Sequence, residues 1–398
     1  MTTHKTVPNV YGPGAFTDTS YTALPDECRR LLHHFAKSSP VFTTSKDVLD
    51  DVQFQGGEFP IIPGPVKSQA VAAVCHAMIG IVGKEICALK GIDTGKVIID
   101  VDKAALCPAT VAIANINGKD MPEIKHDSLA FKAGTDLDQG SFDLTLTAGK
   151  RTLSLDLTVQ EDKDHLRALI EDADVIVQVY RYRSLERKGF GLDEVLEMPN
   201  KRGKGIVYLD LNCYGPDGYY AERPVYQQIA DAASGCSYIM GQANGFEAGV
   251  GVLPSLPKAD MLSGAIGVVD VMPALRDRAK VGGSYHAHVA LKSIDTAQID
   301  KEVGLYSPDV VAKIQETLKF APMTPELHVE ELLGVVVGAW KANSNLLDRD
   351  GYMATFKTAF GERHSILSPI VQFENGSANP HWPQGPVPYC QNRSLAWA

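Results

Sequence analysis

The apolar and polar positions fall into blocks that predict secondary structure before any chemistry is considered. Residues 175–179 form a short apolar run, flanked by acids on one side and Arg and Tyr on the other. The run is too short for a buried helix and rich in β-branched residues, so it predicts a core strand. A turn follows at 185–189. Residues 192–198 have helical apolar spacing with Asp193 and Glu194 in the first turn, and residues 206–211 are the next apolar run. Strand, short helix and strand, with about 30 residues between like positions, predict one right-handed βαβ crossover and hence a parallel sheet covered by helices. Ser68–Leu89 is the most strongly apolar helical stretch, and 96–101 predicts a strand after a glycine turn. Residues 26–39 place Leu31, Leu32 and Phe35 on one helical face, beside His33 and His34, which read as solvated or helix-end residues. Residues 307–320 and 325–343 are helical, 118–148 read as a linker, and the Pro/Gly/Asn-rich 373–388, with Trp382, reads as an extended tail.

One pattern occurs twice. A proline, a lysine, a long helix rich in small residues, a glycine-containing turn and a strand appear near 65–101 and again near 257–291, an internal repeat. Aligned at the proline, Pro65-Val66-Lys67-Ser68 faces Pro257-Lys258-Ala259-Asp260. The first copy then carries Ser68 as a helix N-cap where the second carries the carboxylate of Asp260.

Bulk properties narrow the function classes. The 398 residues are enough for two or three packed units with a large core, and 44% apolar with 22% charged residues is ordinary for a globular protein. A formal charge of -10 argues against binding nucleic-acid phosphate. The seven cysteines are odd in number, scattered, and without metal-type spacing, which predicts free thiols in a reducing compartment and no metal site. No signal-like leader opens the chain and no run of 18 apolar residues occurs, so the expectation is a cytoplasmic protein without a membrane partner. Ser/His/Asp hydrolase chemistry lacks a GxSxG motif. Gly245, Gly249 and Gly251 do not follow a strand and open a helix as a dinucleotide loop must.

The order ADVIVQVYR...LERKGFG, NCYGPDGYYAERPVYQQIADAASG and LPKADMLSG over residues 149–291 resembles the CoA-transferase family III (CaiB/BaiF, the formyl-CoA transferase and α-methylacyl-CoA racemase group), above all its fungal two-module members. The resemblance implies an α/β fold: a reduced CaiB/BaiF-like fold with a parallel-sheet nucleotide-type domain and a smaller α+β domain. The expected divisions are an arm and first-module remnant at 1–125, a core of the second module at 126–300, and C-terminal helices with a tail at 301–398. The segment that opens the nucleotide-type domain in the family, and supplies much of its pocket for the CoA adenosine, is missing. The expectation is no tightly bound cofactor, with a coenzyme A thioester as a possible co-substrate.

Asp260, placed at a helix start, can act as a nucleophile on an acyl thioester and form a mixed anhydride, the role the resemblance implies. Its structural alternative is a helix cap. Tyr226 stands where the transferases carry an active-site tyrosine and the racemases a histidine. A tyrosine is a poor second proton-transfer group at neutral pH, which weakens a 2-methylacyl-CoA racemase or epimerase reading. Gln227 and Asp231, four apart, share one helix face and could orient substrate or be merely solvated.

Tyr180, Arg181 and Arg187 match the family's CoA loop, in which Val179, Tyr182 and Arg183 replace its Asn, Pro and second Gly. Lys150 and Arg151 match a family Lys-Arg pair that precedes a strand. For all of these a solvated basic face is the alternative. The leading expectation is an acyl-CoA transferase acting on a small carboxylate or acyl thioester and assembling as a homodimer. The alternatives are a CoA-independent isomerase, cyclase or lyase of specialised metabolism, and a non-catalytic scaffold.

Overall fold

The computed structural model describes residues 4–39, 42, 46–121, 123–124, 143–200, 203, 205–376 and 378–388. The architecture is mixed α/β with two copies of one motif at its centre. In the first, strand Val52–Gln55 runs parallel to Val97–Asp100, which pairs antiparallel with Val371–Phe373 on its other side. Helix Ser68–Leu89 makes the crossover between the two parallel strands. In the second, Val175–Gln178, Val207–Asn212 and Tyr285–Ala290 form a parallel sheet with Val207–Asn212 in the centre, and helix Lys258–Val281 leads into the last strand.

The two long helices pack against each other at the middle of the principal core. Ser68–Leu89 has the length and apolar character to cross a membrane, but here it is that core helix. Glycines permit close packing onto the sheets. A Cβ on Gly80 would sit 2.5 Å from Val97, and one on Gly267 would sit 2.9 Å from Leu209.

The repeat is therefore real, but its register differs from the proline alignment. The first helix begins at Ser68 with Lys67 as its cap, the second begins at Lys258 with Pro257 as its cap, and neither end has a side-chain cap bond. Matching first helical residues places Ala70, not Ser68, opposite Asp260. The cap roles expected for Ser68 and Asp260 are both withdrawn, because the turn preceding each helix, closed by Ser68 N–H to Val66 O and Lys258 N–H to Leu256 O, positions the chain without them.

The run at 175–179 is also not a core strand. Val175–Gln178 is the edge of its sheet, with Val177 58% and Val179 63% exposed. The run's hydrophobicity matches the buried strand of a wider sheet, and here nothing among the described residues pairs with its outer side.

The residues after Lys150 and Arg151 form an irregular extended segment instead of a strand. Most of the linker expected at 118–148 lies outside the described residues; its first part is a two-stranded turn, Asn115–Ile116 with Lys119–Asp120. This pair joins an antiparallel hairpin, Met353–Thr358 and Gly361–Leu367, that periodicity did not reveal. The tail runs back along the surface, where Trp382 Nε1 donates to Leu367 O at 2.9 Å.

Candidate active site

Asp260 is the third residue of helix Lys258–Val281, within the turn whose backbone N–H groups lack helical acceptors. Its own N–H donates to Gln227 Oε1 at 3.1 Å, which leaves the carboxylate free to face outward. Gln227 opens helix Gln227–Ser234 and is itself buried. Its Nε2 donates to Asp231 Oδ2 at 3.3 Å, so the i,i+4 pair points inward as a support for Asp260 and is not solvated.

Beneath them lies a closed polar cluster. Lys258, Asp231, Asp295 and Cys236 are all buried, with Lys258 Nζ 3.3 Å from Asp295 and 3.2 Å from Cys236 Sγ. Burial and then the negative charge of Asp295 push the Asp231 carboxyl up to about 8. At neutral pH Asp231 therefore keeps a proton beside the Lys258 ammonium. Burial alone would lower the Lys258 pKa, but the surrounding Cys236, Asp295 and Asp231 outweigh it and raise it. The Asp260 carboxyl is held above its usual range, first by partial desolvation against the cavity wall and then by Asp295.

Asp260, Tyr226 and Gln227 share a cavity of about 500 Å³. Its far wall is helix Val329–Asn343, which turns Val329, Leu333 and Val337 toward it, with Gly334 and Gly338 between them. Sequence reasoning missed this wall. The available signal was the i,i+4 glycine pair on the same side of the helix as the Val/Leu series. Asp295 gave no signal.

A second cleft of about 270 Å³ lies at the carboxyl ends of Val175–Gln178 and Val207–Asn212, the position at which open parallel sheets hold ligands. Tyr180, Arg181, Arg183 and Arg223 line it. The Arg181 guanidinium lies 5.7 Å from the centre of the Tyr226 ring, so these two residues join the cleft to the Asp260 cavity. Tyr226 is 73% exposed, which opens its hydroxyl to solvent and removes the packed-tyrosine alternative. Arg223 stacks over Tyr220 at 4.7 Å, and among the described residues neither Arg181 nor Arg223 pairs with a carboxylate.

The loop keeps its glycine-like shape without the glycine. Arg183 has φ 55 and is tied to Glu186 at 2.6 and 2.8 Å. Arg187 is exposed but does not line the cleft. Lys150 and Arg151 lie elsewhere, along the C-terminal tail, where Gln384 Nε2 donates to Lys150 O at 2.8 Å. The structure thus brings together Asp260, Tyr226, Gln227, Tyr180 and Arg181, and leaves Arg187, Lys150 and Arg151 outside both cavities.

Asp210, at the base of this cleft, accepts from His288 Nδ1 at 2.7 Å and His286 Nε2 at 3.1 Å. Burial would raise its pKa, but the two imidazoles outweigh that and lower it. His4, Asp18 and Glu27 bring possible ligand atoms within 4.8 Å of one another, yet the Lys67 ammonium already pairs with both carboxylates and supplies the positive charge there.

Comparison with known proteins places the chain among its relatives. A model of CoA-transferase family III matches residues 122–320. An acyl-CoA transferase of Gibberella moniliformis is 34% identical over an alignment of 562 positions that covers 98% of this chain and 99% of that protein. That alignment is longer than the 398-residue chain, so the relative carries segments with no counterpart here. The acetyl-coenzyme A transferase nodX of Hypoxylon pulicicidum is 40% identical over 60% of this chain and 42% of its own length. A CaiB/BaiF family protein from Brucella suis of known crystal structure is 15% identical, with a TM-score of 0.42 over 62% of this chain and 81% of that one.

Proposed function

The chain belongs to CoA-transferase family III, and on that premise we propose that it transfers an acyl group from a coenzyme A thioester through an anhydride at Asp260. The observation that carries this reading is the placement of the Asp260 carboxylate. It opens on the 500 Å³ cavity while its backbone N–H is held by Gln227, and the Arg181–Tyr226 contact connects it to the cleft at the strand ends. In the proposed reaction a carboxylate oxygen of Asp260 attacks the thioester carbonyl, the C–S bond breaks, and the CoA thiolate leaves. An acceptor then takes the acyl group and returns Asp260 as a carboxylate. Arg181 and Arg223, free of carboxylate partners among the described residues, supply the positive charge suited to the phosphates of CoA. Tyr226, at the junction of the two cavities, is placed to orient the thioester.

Since only the ionised carboxylate attacks, turnover is expected to fall on acidification, with a midpoint above the ordinary aspartate range because burial and Asp295 raise this group. The direct test is trapping. Incubation with an acyl-CoA and hydroxylamine should give the Asp260 hydroxamate where hydroxylamine attacks the aspartyl carbonyl, read by peptide mass spectrometry, and an enzyme-dependent acyl hydroxamate where it attacks the acyl carbonyl; an Asp260→Ala protein should give neither. A wild-type protein that turns over acyl-CoA and gives neither product would remove this residue from the mechanism.

A second reading, a CoA-independent isomerase, cyclase or lyase that reuses the same cavity, draws on a different observation. The parallel sheet has three strands with an exposed edge at Val177 and Val179, and Lys150 and Arg151 stand away from the cleft. Fewer groups therefore remain to hold the nucleotide part of CoA. Absence of CoA binding by calorimetry, alongside turnover of a CoA-free substrate that Asp260→Ala abolishes, would favour this reading over the transferase.

A further inference from the structure

The Asp260 cavity is larger and less polar than a thioester carbonyl needs. Along helix Val329–Asn343 the residues that line it recur every three to four positions from Val329 to Lys341. At 1.5 Å per residue this wall runs about 18 Å. Val111, Met121 and Met261 line the cavity with the helix's Val329, Leu333 and Val337. The width comes from Gly334 and Gly338. Among the described residues a Cβ built on either would meet nothing within 4 Å, so neither glycine is needed for close packing of the helix.

Charge narrows the occupant further. Among the described residues, the cation lining this cavity is Lys341, and it is already paired with Asp120 at 2.8 Å. Hydrogen bonding to Lys341 is also what chiefly lowers the Asp120 pKa, so the pair stays ionised and mutually satisfied. Asp260, which also lines the cavity, adds negative charge. A second carboxylate on the acyl group would have to compete with Asp120, which already holds Lys341 in a part-exposed pair, or enter the apolar trough unpaired, and the second course is costly.

We infer that this cavity is an acyl-chain site, selective for monocarboxylic acyl groups with an extended apolar chain over dicarboxylic ones, with Gly334 and Gly338 setting the room available. The inference rests on the transferase reading for the direction in which the thioester is presented, but the binding it predicts does not require turnover.

The test measures calorimetric binding of neutral N-acetylcysteamine thioesters, which carry an acyl group without the nucleotide. A series from butanoyl to octanoyl should bind about fourfold more tightly per added methylene. The succinyl and glutaryl thioesters should bind at least tenfold more weakly than the monocarboxylic thioesters of equal length. Gly334→Leu, which improves helix propensity while filling the trough, should melt no lower than wild type and lose the gain with chain length. Gly338→Leu, one turn on, provides the same measurement if the first variant melts early. Flat dependence on chain length, equal or tighter binding of the dicarboxylic thioesters, no binding of any, or a length gain that survives in a folded leucine variant would each overturn the inference. Failure of hydroxylamine trapping with the chain-length series intact would instead remove the anhydride reading and leave the acyl site standing.

Discussion

The two long helices start in the same way and end up with opposite properties. Each is preceded by a tight turn and has a buried lysine within one residue of its first turn, and each lysine faces acidic groups: Asp18 and Glu27 for Lys67, Asp295 for Lys258. In the first copy the helix start is sealed. Lys67 also donates to Val303 O at 2.8 Å, Gln69 is used up by Ile61 N–H and Val101 O, and Ala70, in the position of Asp260, is fully buried. In the second copy the helix start opens on a cavity, and the facing wall is a helix with two glycines among its lining residues. The motif therefore builds a stable helix start, and what packs over it decides whether that start can be a site.

The electrostatics differ as well. Burial pushes the Glu27 carboxyl up, but Arg30 and Lys67 outweigh it and hold it below the usual range. The second keeps a proton on Asp231.

The largest effect is expected from removing the sealed cluster's cation. Lys67→Met removes the buried cation shared by Glu27 and Asp18, leaving Arg30 for the one and His4 for the other, and should cost about 3 kcal/mol in urea unfolding. The protein that remains folded should keep its specific turnover, since Lys67 touches neither cavity at Asp260. A loss of turnover per folded molecule would break the distinction between a structural and a functional copy.

The second effect concerns pH. With its folded pKa near 8 and its unfolded value at the ordinary 3.8, Asp231 binds a proton in the folded state across that window and releases it on unfolding. Its contribution to stability is therefore complete below about pH 4, falls as pH rises toward 8, and then levels. Asp231→Asn should remove much of that decline, so the variant gains on wild type between pH 5 and pH 8 in thermal melts. Parallel curves for the two proteins would place the proton elsewhere in the cluster.

The smallest effect is expected at the CoA-like loop. Arg183 holds a left-handed backbone conformation that favours glycine, and an exposed ion pair with Glu186 offsets little of that cost. Arg183→Gly should raise the melting temperature slightly. A clear fall would mean that the Glu186 pair, or a ligand contact, holds the loop in place.

How much of this was legible in the sequence varies residue by residue. The strands at 97–100 and 207–212 and the two long helices follow from apolar runs of the right length, because burial writes its period directly into the chain. Asp260, Tyr226 and Gln227 were found as one group, and they line one cavity, because Tyr226 and Gln227 are adjacent and Asp260 lies in a quoted motif. The same resemblance points to Lys150 and Arg151, but the chain after them takes an irregular path along the tail and carries them away from both cavities.

The sequence by itself determined the local elements, the internal repeat and the family, since each is written in neighbouring residues or in motif order. Tertiary structure decided which copy's helix start opens on a cavity, that Ala70 and not Ser68 matches Asp260, that 175–178 is an exposed edge, and that Asp231 lies against Asp295. The physical reason is that a cavity, a free sheet edge and a shifted proton all arise between segments tens to hundreds of residues apart, where no local pattern of polarity records which neighbour will arrive.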